Sequence, residues 1–403
     1  MKKAHSLDRR KFMVGTAVLL AGARVFPESV ARAAGLERST VVRVASPRAS
    51  RPWDYQPSAP WDHTVEPRSV EDLQSGRFRT DRYFDCIDET VVRELLDTGL
   101  LHLTGKKTVR EAWVQLLSGY RQGQRITIKV NLNNASYDER ITTNRMDQSA
   151  AAINALVASL ITTLEVAPEQ ITIADPSRWI HPVIVRGRCP FNGLSWIDSR
   201  SPDLWDPAEA VVFSRDLPVR PESRTDLPEM VPFHLARVYT EADHIINLCL
   251  LKNHGCGVTG AMKNHFGVIP PPAAKFFHTG LGSKSYIGDL CNTPSIRTKV
   301  RVNICEAVFG NWHNNVWSPR PWLTFAGGTP NSLFFSTDPV AFDSVLLHHI
   351  SREVEARGAA VDEWVRQAIA DHDFLQYAME ALRLGVHEHE PFSRIDYRQV
   401  ELG

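Results

Sequence analysis

Cysteine is scarce in this sequence, and its spacing excludes two common kinds of metal centre. The 403 residues contain six cysteines, and no two of them form a CxxC pair. Ferredoxin-type iron–sulfur clusters and zinc ribbons are built from such pairs. We therefore expect no iron–sulfur cluster, and we interpret most of the cysteines as small buried apolar residues.

Other common signals are also missing. The sequence has neither a Walker loop nor a GxSxG nucleophile elbow, and we expect no GxGxxG fingerprint after a strand. These absences argue against nucleotide-dependent chemistry and α/β-hydrolase chemistry. Its 46 basic and 46 acidic side chains give a net charge of zero, which argues against a general nucleic-acid-binding protein. Beyond the N-terminal region no apolar run approaches the ~20 residues that span a membrane, so we expect no stable membrane insertion of the mature chain.

The first 33 residues have the features of a twin-arginine export signal. Arg9-Arg10 is followed by Lys-Phe-Met and then by a short apolar run at 13–23. Ala31 and Ala33 form a small-residue cleavage motif, and the basic residues Arg24 and Arg32 would hinder export of an unfolded chain. We expect the twin-arginine machinery to carry the folded protein to the periplasm and residues 1–33 to be removed. An uncleaved anchor is the alternative, which the shortness of the apolar run disfavours.

Residues 34–403 are predicted to form one large α/β domain with a mostly parallel sheet flanked by helices, although their number would also allow two domains. An irregular segment at 45–85 precedes the regular core, and a helical part ends the chain. Strand patterns lie at 41–44, 126–130, 171–174, 244–250, 300–305 and 333–336, with a weaker one at 210–213. Helical patterns lie at 87–101, 111–120, 153–164 and 339–357. The helix at 153–164 joins two of these strands in a βαβ unit, so we expect those two to be parallel.

Polar motifs directly follow four of the predicted strands. Because ligands bind beyond the carboxyl ends of parallel strands, we expect these motifs to converge along one edge of the sheet. We interpret asparagines and aspartates of these motifs as substrate-binding residues, together with Lys129 of the first of these strands and Asn264 of the second Lys-Asn-His triplet. They are Lys129, Asn131, Asn133, Asp175, Asn253, Asn264 and Asp338.

Lysine and histidine replace arginine in one glycine-rich stretch. No arginine occurs between Arg237 and Arg297, and the triplet Lys-Asn-His occurs at 252–254 and again at 263–265. A spacing of eleven residues would place both triplets on one face if the intervening residues were helical. The pKa of lysine falls on burial, which suits a base, a Schiff base or an anion contact.

We interpret four residues of this stretch as catalytic, with the lysines as base or charge partners and the histidines as acid–base groups. They are Lys252, His254, Lys263 and His265. A solvated basic loop is the alternative. A metal held by His254, Cys256 and His265 is a further, less favoured hypothesis, because the spacing of these ligand types matches no known zinc or iron pattern.

Four ordered blocks resemble an uncharacterised protein family, domain of unknown function 362. The blocks are Ile-Lys-Val-Asn at 128–131, Asp-His-Ile-Ile-Asn-Leu at 243–248 with Leu-Lys-Asn-His at 251–254, Val-Thr-Gly-Ala-Met-Lys-Asn at 258–264 with Phe-Gly at 266–267, and Ser-Thr-Asp-Pro-Val-Ala-Phe-Asp at 336–343. The resemblance covers about residues 125–350 and implies a single α/β domain in an exported form. Some relatives carry an added ferredoxin segment, whose cysteines this chain lacks. The resemblance implies no reaction.

Together these observations favour an exported enzyme that acts on a small anionic molecule. A redox or isomerising reaction is preferred to hydrolysis because no nucleophile motif is evident. The rival hypothesis is a non-catalytic periplasmic binder or assembly factor that holds an anion or a metal at the same edge. The sequence leaves open the substrate, any further cofactor, the oligomeric state and the partner proteins.

The export signal generates a first prediction. Replacing Arg9→Lys together with Arg10→Lys removes the paired arginines that the twin-arginine machinery recognises. We expect the precursor to accumulate in the cytoplasm, as measured by cell fractionation. Unchanged periplasmic levels would rule out the twin-arginine assignment.

Overall fold

The computed structural model of the protein describes residues 38–53, 83–133, 146–182, 185–214, 233–254, 257–277, 286–313, 318–370 and 373–403. The proposed signal at 1–33, most of the segment at 45–85 and the candidate metal ligand Cys256 lie outside the described residues. Within them, no helix is both long and apolar enough to cross a membrane.

The described residues form ten strands and eleven α-helices. The strands are β1 (Ser39–Ala45), β2 (Ile126–Lys129), β3 (Ile171–Asp175), β4 (Ser195–Asp198), β5 (Trp205–Ala210), β6 (His234–Ala236), β7 (His244–Lys252), β8 (Val300–Asn311), β9 (Ser332–Ser336) and β10 (Ile395–Glu401). The helices are α1 (Glu89–Thr104), α2 (Val109–Leu116), α3 (Ala150–Leu164), α4 (Arg237–Thr240), α5 (Ala261–Asn264), α6 (Pro271–Phe277), α7 (Ile287–Asn292), α8 (Pro294–Lys299), α9 (Pro339–Arg357), α10 (Glu363–Ala370) and α11 (Asp373–Glu380).

Eight strands form one mostly parallel sheet, in the order β10-β1-β9-β8-β7-β2-β3-β4. Every neighbouring pair is parallel except those made by β9, which runs antiparallel to both β1 and β8. Strands β2 and β3 are parallel and are joined through α3. The predicted fold class and the predicted βαβ unit are therefore confirmed.

The sheet separates two apolar layers. Helices α1, α2 and α3 cover one face, where Ile128 and Ile246 are buried. Helices α5, α8 and α9 cover the other face, where Cys249 and Phe334 are buried. Alternation of side chains along each strand sends successive residues to opposite layers. The polar residues between these apolar positions are therefore held inside the protein.

Helix α9 has the start that the sequence predicts. The side chain of Asp338 accepts hydrogen bonds from the backbone N–H groups of Val340 and Ala341, and Pro339 occupies the first helical position. Helix α3 begins in a similar way, because the hydroxyl of Ser149 accepts from the N–H of Ala152. Local capping chemistry thus set both helix starts.

The weak strand signal at 210–213 was wrong except at its first residue, because β5 ends at Ala210, and the strands β4, β6 and β10 were not predicted. The condition that would place the two Lys-Asn-His triplets on one helical face is not met: the first triplet begins at the end of β7, and α5 spans only Ala261–Asn264. Gly257 has φ +85°, a left-handed conformation that interrupts any helix.

The contact between α1 and the sheet generates a prediction about stability. A Cβ atom at Gly99 would lie 2.0 Å from Cε2 of the buried ring of Phe335. We expect Gly99→Ala to lower the free energy of unfolding by about 1–3 kcal/mol in denaturant titrations, because overpacking outweighs the gain in helix propensity. Glu94→Ala, on the exposed side of the same helix, should change it by less than about 1 kcal/mol. Equal stability of Gly99→Ala and wild type would contradict this close packing.

Candidate functional site

Three of the predicted site residues meet where parallel strands end. Asn131 lies just beyond β2, Asp175 is the last residue of β3, and Lys252 is the last residue of β7. Strand β2 lies between β3 and β7 in the sheet, so these ends are adjacent. Lys252 Nζ donates to Asn131 Oδ1 at 2.9 Å. We call Lys129, Asn131, Asp175, Lys252 and Asn264 the strand-end cluster.

Lys129 and Asp175 form an ion pair inside the strand-end cluster. Lys129 Nζ lies 3.4 Å from Asp175 Oδ2, and both side chains are at most 3% exposed. The ammonium also donates to Val130 O and to Asn264 Oδ1. Asp175 Oδ2 accepts from the N–H of Leu132. Burial lowers the pKa of Lys129, and the charge of Asp175 opposes that shift.

The backbone of Gly267 closes over this ion pair. A Cβ at Gly267 would lie 2.5 Å from Lys129 Nζ and 2.7 Å from Asp175 Oδ1. Gly267 O also accepts from the N–H of Ser177, two residues after Asp175. Only glycine fits here without displacing the pair. The pair therefore fixes the chain that follows α5 against the ends of β2 and β3.

Lys252 is buried with two hydrogen-bond acceptors. Its Nζ donates to Asn131 Oδ1 at 2.9 Å and to Met146 O at 3.3 Å, and the residue is 0% exposed. Burial lowers its pKa to about 8, and the charge of Asp147 opposes the shift. A neutral amine has two N–H bonds, which these acceptors would use, and one lone pair. The geometry thus suits a lysine that changes protonation near neutral pH.

Four asparagine side chains continue from Lys252 across the sheet in one line of hydrogen bonds. The line runs from Lys252 Nζ to Asn131 Oδ1 (2.9 Å), from Asn131 Nδ2 to Asn264 Oδ1 (2.9 Å), from Asn264 Nδ2 to Asn247 Oδ1 (2.8 Å), from Asn247 Nδ2 to Asn303 Oδ1 (2.8 Å) and from Asn303 Nδ2 to Ser336 O (3.3 Å). We call these four residues the asparagine relay.

The two ends of the asparagine relay fix the orientation of every amide in it. The ammonium of Lys252 can only donate and the carbonyl of Ser336 can only accept, so each amide oxygen must face Lys252. The second N–H bonds of Asn247 and Asn264 agree with this orientation, because they reach Ala261 O and Leu248 O. The negative ends of all four amide dipoles consequently point towards Lys252, which favours its charged form.

The other predicted catalytic residues have surroundings of their own. His265 is buried, its Nδ1 lies 3.1 Å from Tyr239 Oη, and burial followed by the charge of Lys129 lowers its pKa to about 3. His265 is therefore neutral at physiological pH. Lys263 is buried on α5, where its charge acts on Asp343 of α9. His254 is partly buried just beyond β7.

Two predicted substrate-binding residues, Asn253 and Asn133, make their hydrogen bonds outside the strand-end cluster. Asn253 donates to Trp312 O and accepts from the N–H of His254, so its amide holds the loop after β7. Asn133 accepts a 2.7 Å hydrogen bond from Arg178 at the exposed margin of the strand-end cluster. Asn133 thus lies near the cluster without entering it.

Asp338 does not join the strand-end cluster, and the expectation that all four motifs converge was wrong. Because β9 is antiparallel to β8, its carboxyl end lies at the opposite edge of the sheet. The Asp338 carboxylate there accepts from Ser39 Oγ and from the N–H of Val386, besides capping α9. A Cβ at Gly385 would lie 1.8 Å from Asp338 Oδ1. Asp338 joins β1, α9 and the turn before β10.

The metal hypothesis gains no support from the described residues. Among them, no three His, Cys, Asp or Glu side chains come close enough together to hold a metal ion. His265 faces Tyr239, and Cys256 lies outside the described part of the chain.

The expectation that no GxGxxG pattern follows a strand was wrong, because residues 255–260 have this spacing of dinucleotide-binding loops. The loop follows β7 and precedes α5, but α5 has only four residues. The carboxylate of Asp343 accepts from the N–H groups of Ala261 and Met262 at 2.5 and 3.0 Å. A protein carboxylate therefore takes the N–H groups that a bound phosphate would need. Burial raises the pKa of Asp343 to about 7.

Asn247 and Asn303 of the asparagine relay and Asp343 were missed as site residues, although the sequence carried a signal for the two asparagines. Asn247 interrupts the otherwise apolar run 245–251, and Asn303 lies between two apolar residues of β8; both asparagines are buried, which is unusual for this residue type. Asp343 lies within a helix, and nothing in its local pattern indicates that it binds α5. Only the packing of α9 on α5 reveals that contact.

Comparison with protein families identifies one segment of the chain. Residues 206–348 match the family described as Domain of unknown function (DUF362). The resemblance is confirmed for this segment. It begins in β5 and ends in α9, so it includes Lys252, the second triplet and Asp343 but not Lys129, Asn131 or Asp175. The match is thus shorter than the expected 125–350. No curated protein matches the chain.

The ion pair of the strand-end cluster generates a third prediction. Lys129→Met leaves the buried carboxylate of Asp175 without its cation, and breaking such a pair costs about 3–5 kcal/mol. We expect that loss in the free energy of unfolding, measured by denaturant titration.

The double variant Lys129→Met with Asp175→Asn removes both charges and should recover part of the lost stability. Lys107→Met, which alters an exposed lysine, serves as the matched control. If the single and double variants are equally unstable, charge pairing is not what Lys129 contributes.

Proposed function

We propose that the protein is an exported enzyme that moves a proton on a small anionic molecule, with Lys252 as the base. The observation that carries this proposal is the buried amine of Lys252, held by two acceptors at the carboxyl ends of parallel strands. Ligands of open α/β sheets bind beyond such strand ends. The paired arginines at 9–10 and the apolar run after them support export.

The protonation of Lys252 suits general base catalysis. With a pKa of about 8, about a tenth of the amine is neutral at pH 7, whereas an ordinary lysine at pKa 10.5 is almost wholly charged. In the proposed step the Nζ lone pair accepts a proton from a carbon next to a carboxylate or carbonyl group. The C–H bond breaks, an N–H bond forms, and the same amine returns the proton to that carbon or to its neighbour.

Nearby positive charge supports the choice of an anionic substrate. The charges of Arg178 and Lys129 act on Lys252 and lower its pKa, while Asp147 and Asp175 raise it. Positive charge near the reacting carbon would also stabilise the enolate that forms when the proton leaves. An isomerisation of a carboxylic acid matches these requirements and needs no nucleophile.

One observation favours the rival, a non-catalytic binder or assembly factor. Each of three buried lysines interacts electrostatically with a carboxylate of the protein. The pairs are Lys129 with Asp175, Lys252 with Asp147 and Lys263 with Asp343. Lysines that are neutralised in this way can serve to hold the structure. A test of the proposal must therefore detect proton transfer itself.

Exchange of hydrogen for deuterium provides that test. The full chain is incubated in D2O with a panel of small carboxylates and ketoacids, and the loss of each substrate C–H signal is followed by proton NMR. We expect exchange of one class of compound to accelerate as the pH rises through about 8, because the neutral amine is the base.

Lys252→Met should abolish the exchange, while Lys107→Met, an exposed lysine, should leave it unchanged. Stability provides an independent check of the pKa. Because the folded chain releases the Lys252 proton at lower pH than the unfolded chain, wild type should gain stability relative to Lys252→Met between about pH 8 and 10.5. A panel without any Lys252-dependent exchange would leave the binder as the better description.

A further inference from the structure

A cleft of about 390 Å³ lies at the opposite edge of the sheet from the strand-end cluster. It is bordered by the start of β1, the start of β8, helix α8 and the residues after β9. Its size falls within the range of small-molecule sites. We call it the amino-edge cleft, and the proton-transfer proposal makes no use of it.

Three arginines line the amino-edge cleft. Arg301 is partly buried in β8, and its Nε donates to His244 Nδ1 at 3.2 Å. Arg38 and Arg297 are exposed at its border, and Arg297 donates to Asn292. Arg38 makes no hydrogen bond or ion pair with the described residues. The amino-edge cleft therefore carries guanidinium N–H groups that other described side chains do not use.

Arg301 is partly buried and forms no ion pair with a carboxylate of the described residues. Its described hydrogen-bond partner, His244, is neutral, since burial followed by the charge of Arg301 lowers the histidine pKa to about 4. His244 Nε2 lies 3.1 Å from Gln124 Oε1, which can only accept, so Nε2 carries the proton and Nδ1 is free to accept from Arg301. Buried charges in proteins are normally paired with an opposite charge. The ring thus orients Arg301 without neutralising it.

The amino-edge cleft carries less negative charge than positive charge. Asp338 lines the cleft, but its carboxylate already accepts from four donors: Ser39, Val386, Val340 and Ala341. Helices α1 and α2 end at the cleft wall, and each C-terminus contributes about half a negative charge. The three arginines carry three full positive charges, which exceed the summed negative charge of Asp338 and the two helix ends. The hydroxyls of Thr40, Thr298 and Thr337 also line the cleft.

We propose that the amino-edge cleft binds a small phosphate ester or organic carboxylate through Arg301, with Arg38 and Arg297 closing on its exposed side. Guanidinium groups bind the oxygens of phosphates and carboxylates in pairs, so both ligand types share this chemistry. The site is separate from Lys252, and its occupancy does not depend on the proton-transfer proposal. Asn303, the last member of the asparagine relay, also lines it.

Calorimetric titration of the full chain tests this site. Inorganic phosphate, glycerol phosphate and succinate are titrated separately at constant ionic strength, which distinguishes phosphate from carboxylate ligands. We expect at least one of them to bind wild type. Arg301→Gln should weaken that binding by about tenfold or more, because a charge-assisted bidentate contact is lost.

Two further variants control for loss of folding and for non-specific attraction of anions. Arg38→Gln with Arg297→Gln alters exposed side chains and should weaken binding without lowering the melting temperature. Arg366→Gln removes an exposed arginine of α10 and should leave binding unchanged.

Three results would overturn the proposal. The first is that wild type binds none of the probes. The second is that Arg366→Gln weakens binding as much as the cleft variants, which would indicate non-specific attraction. The third is that the arginine variants bind normally while Lys252→Met does not, which would place the anion at the strand-end cluster and support the proton-transfer proposal instead.

Discussion

The buried ion pair between Lys129 and Asp175 is the contact on which the strand-end cluster depends. It joins the ends of two adjacent parallel strands, and the backbone of Gly267 lies too close to it for any side chain. The chain after α5 is therefore fixed over the sheet, and Asn264 is held within reach of Lys129. A pair of this kind adds little net stability compared with apolar residues, but removing either charge alone is costly. Its effect is to specify one arrangement of the strand ends.

The asparagine relay extends that arrangement across the sheet. The oxygen and the nitrogen of each amide are both hydrogen-bonded to neighbouring groups of the relay. Rotating one amide would therefore break hydrogen bonds on both sides of it. Burial lowers the pKa of Lys252, and the charges of Asp147 and Asp175 oppose that shift. The asparagine relay holds Asn131 Oδ1 against Lys252 Nζ and so fixes the position of one of the two acceptors of this amine.

The direction of one strand, β9, decides at which edge of the sheet Asp338 lies. If β9 were parallel to its neighbours, Asp338 would lie at the same edge of the sheet as Lys252, with β8 between them, as expected from the sequence. Its reversal places Asp338 at the amino edge, where it caps α9 and secures the start of β1. Lys129 and Lys252 thus lie at one edge and Arg301 at the other. The two proposed anion sites can therefore be tested independently.

The sequence by itself determined the fold class, because alternation of apolar residues and capping at Asp338 are local properties of the chain. It also indicated that Asn131, Asp175 and Lys252 would meet, since the strands that bear them are parallel neighbours. The tertiary structure alone decided the direction of β9, the contact of Asp343 with α5 and the pairing of Lys129 with Asp175. Those features depend on which distant segments pack together, and short-range periodicity contains no information about that choice. The eleven-residue spacing would place the triplets on one face only within a continuous helix, and Gly257 takes a conformation that no helix allows.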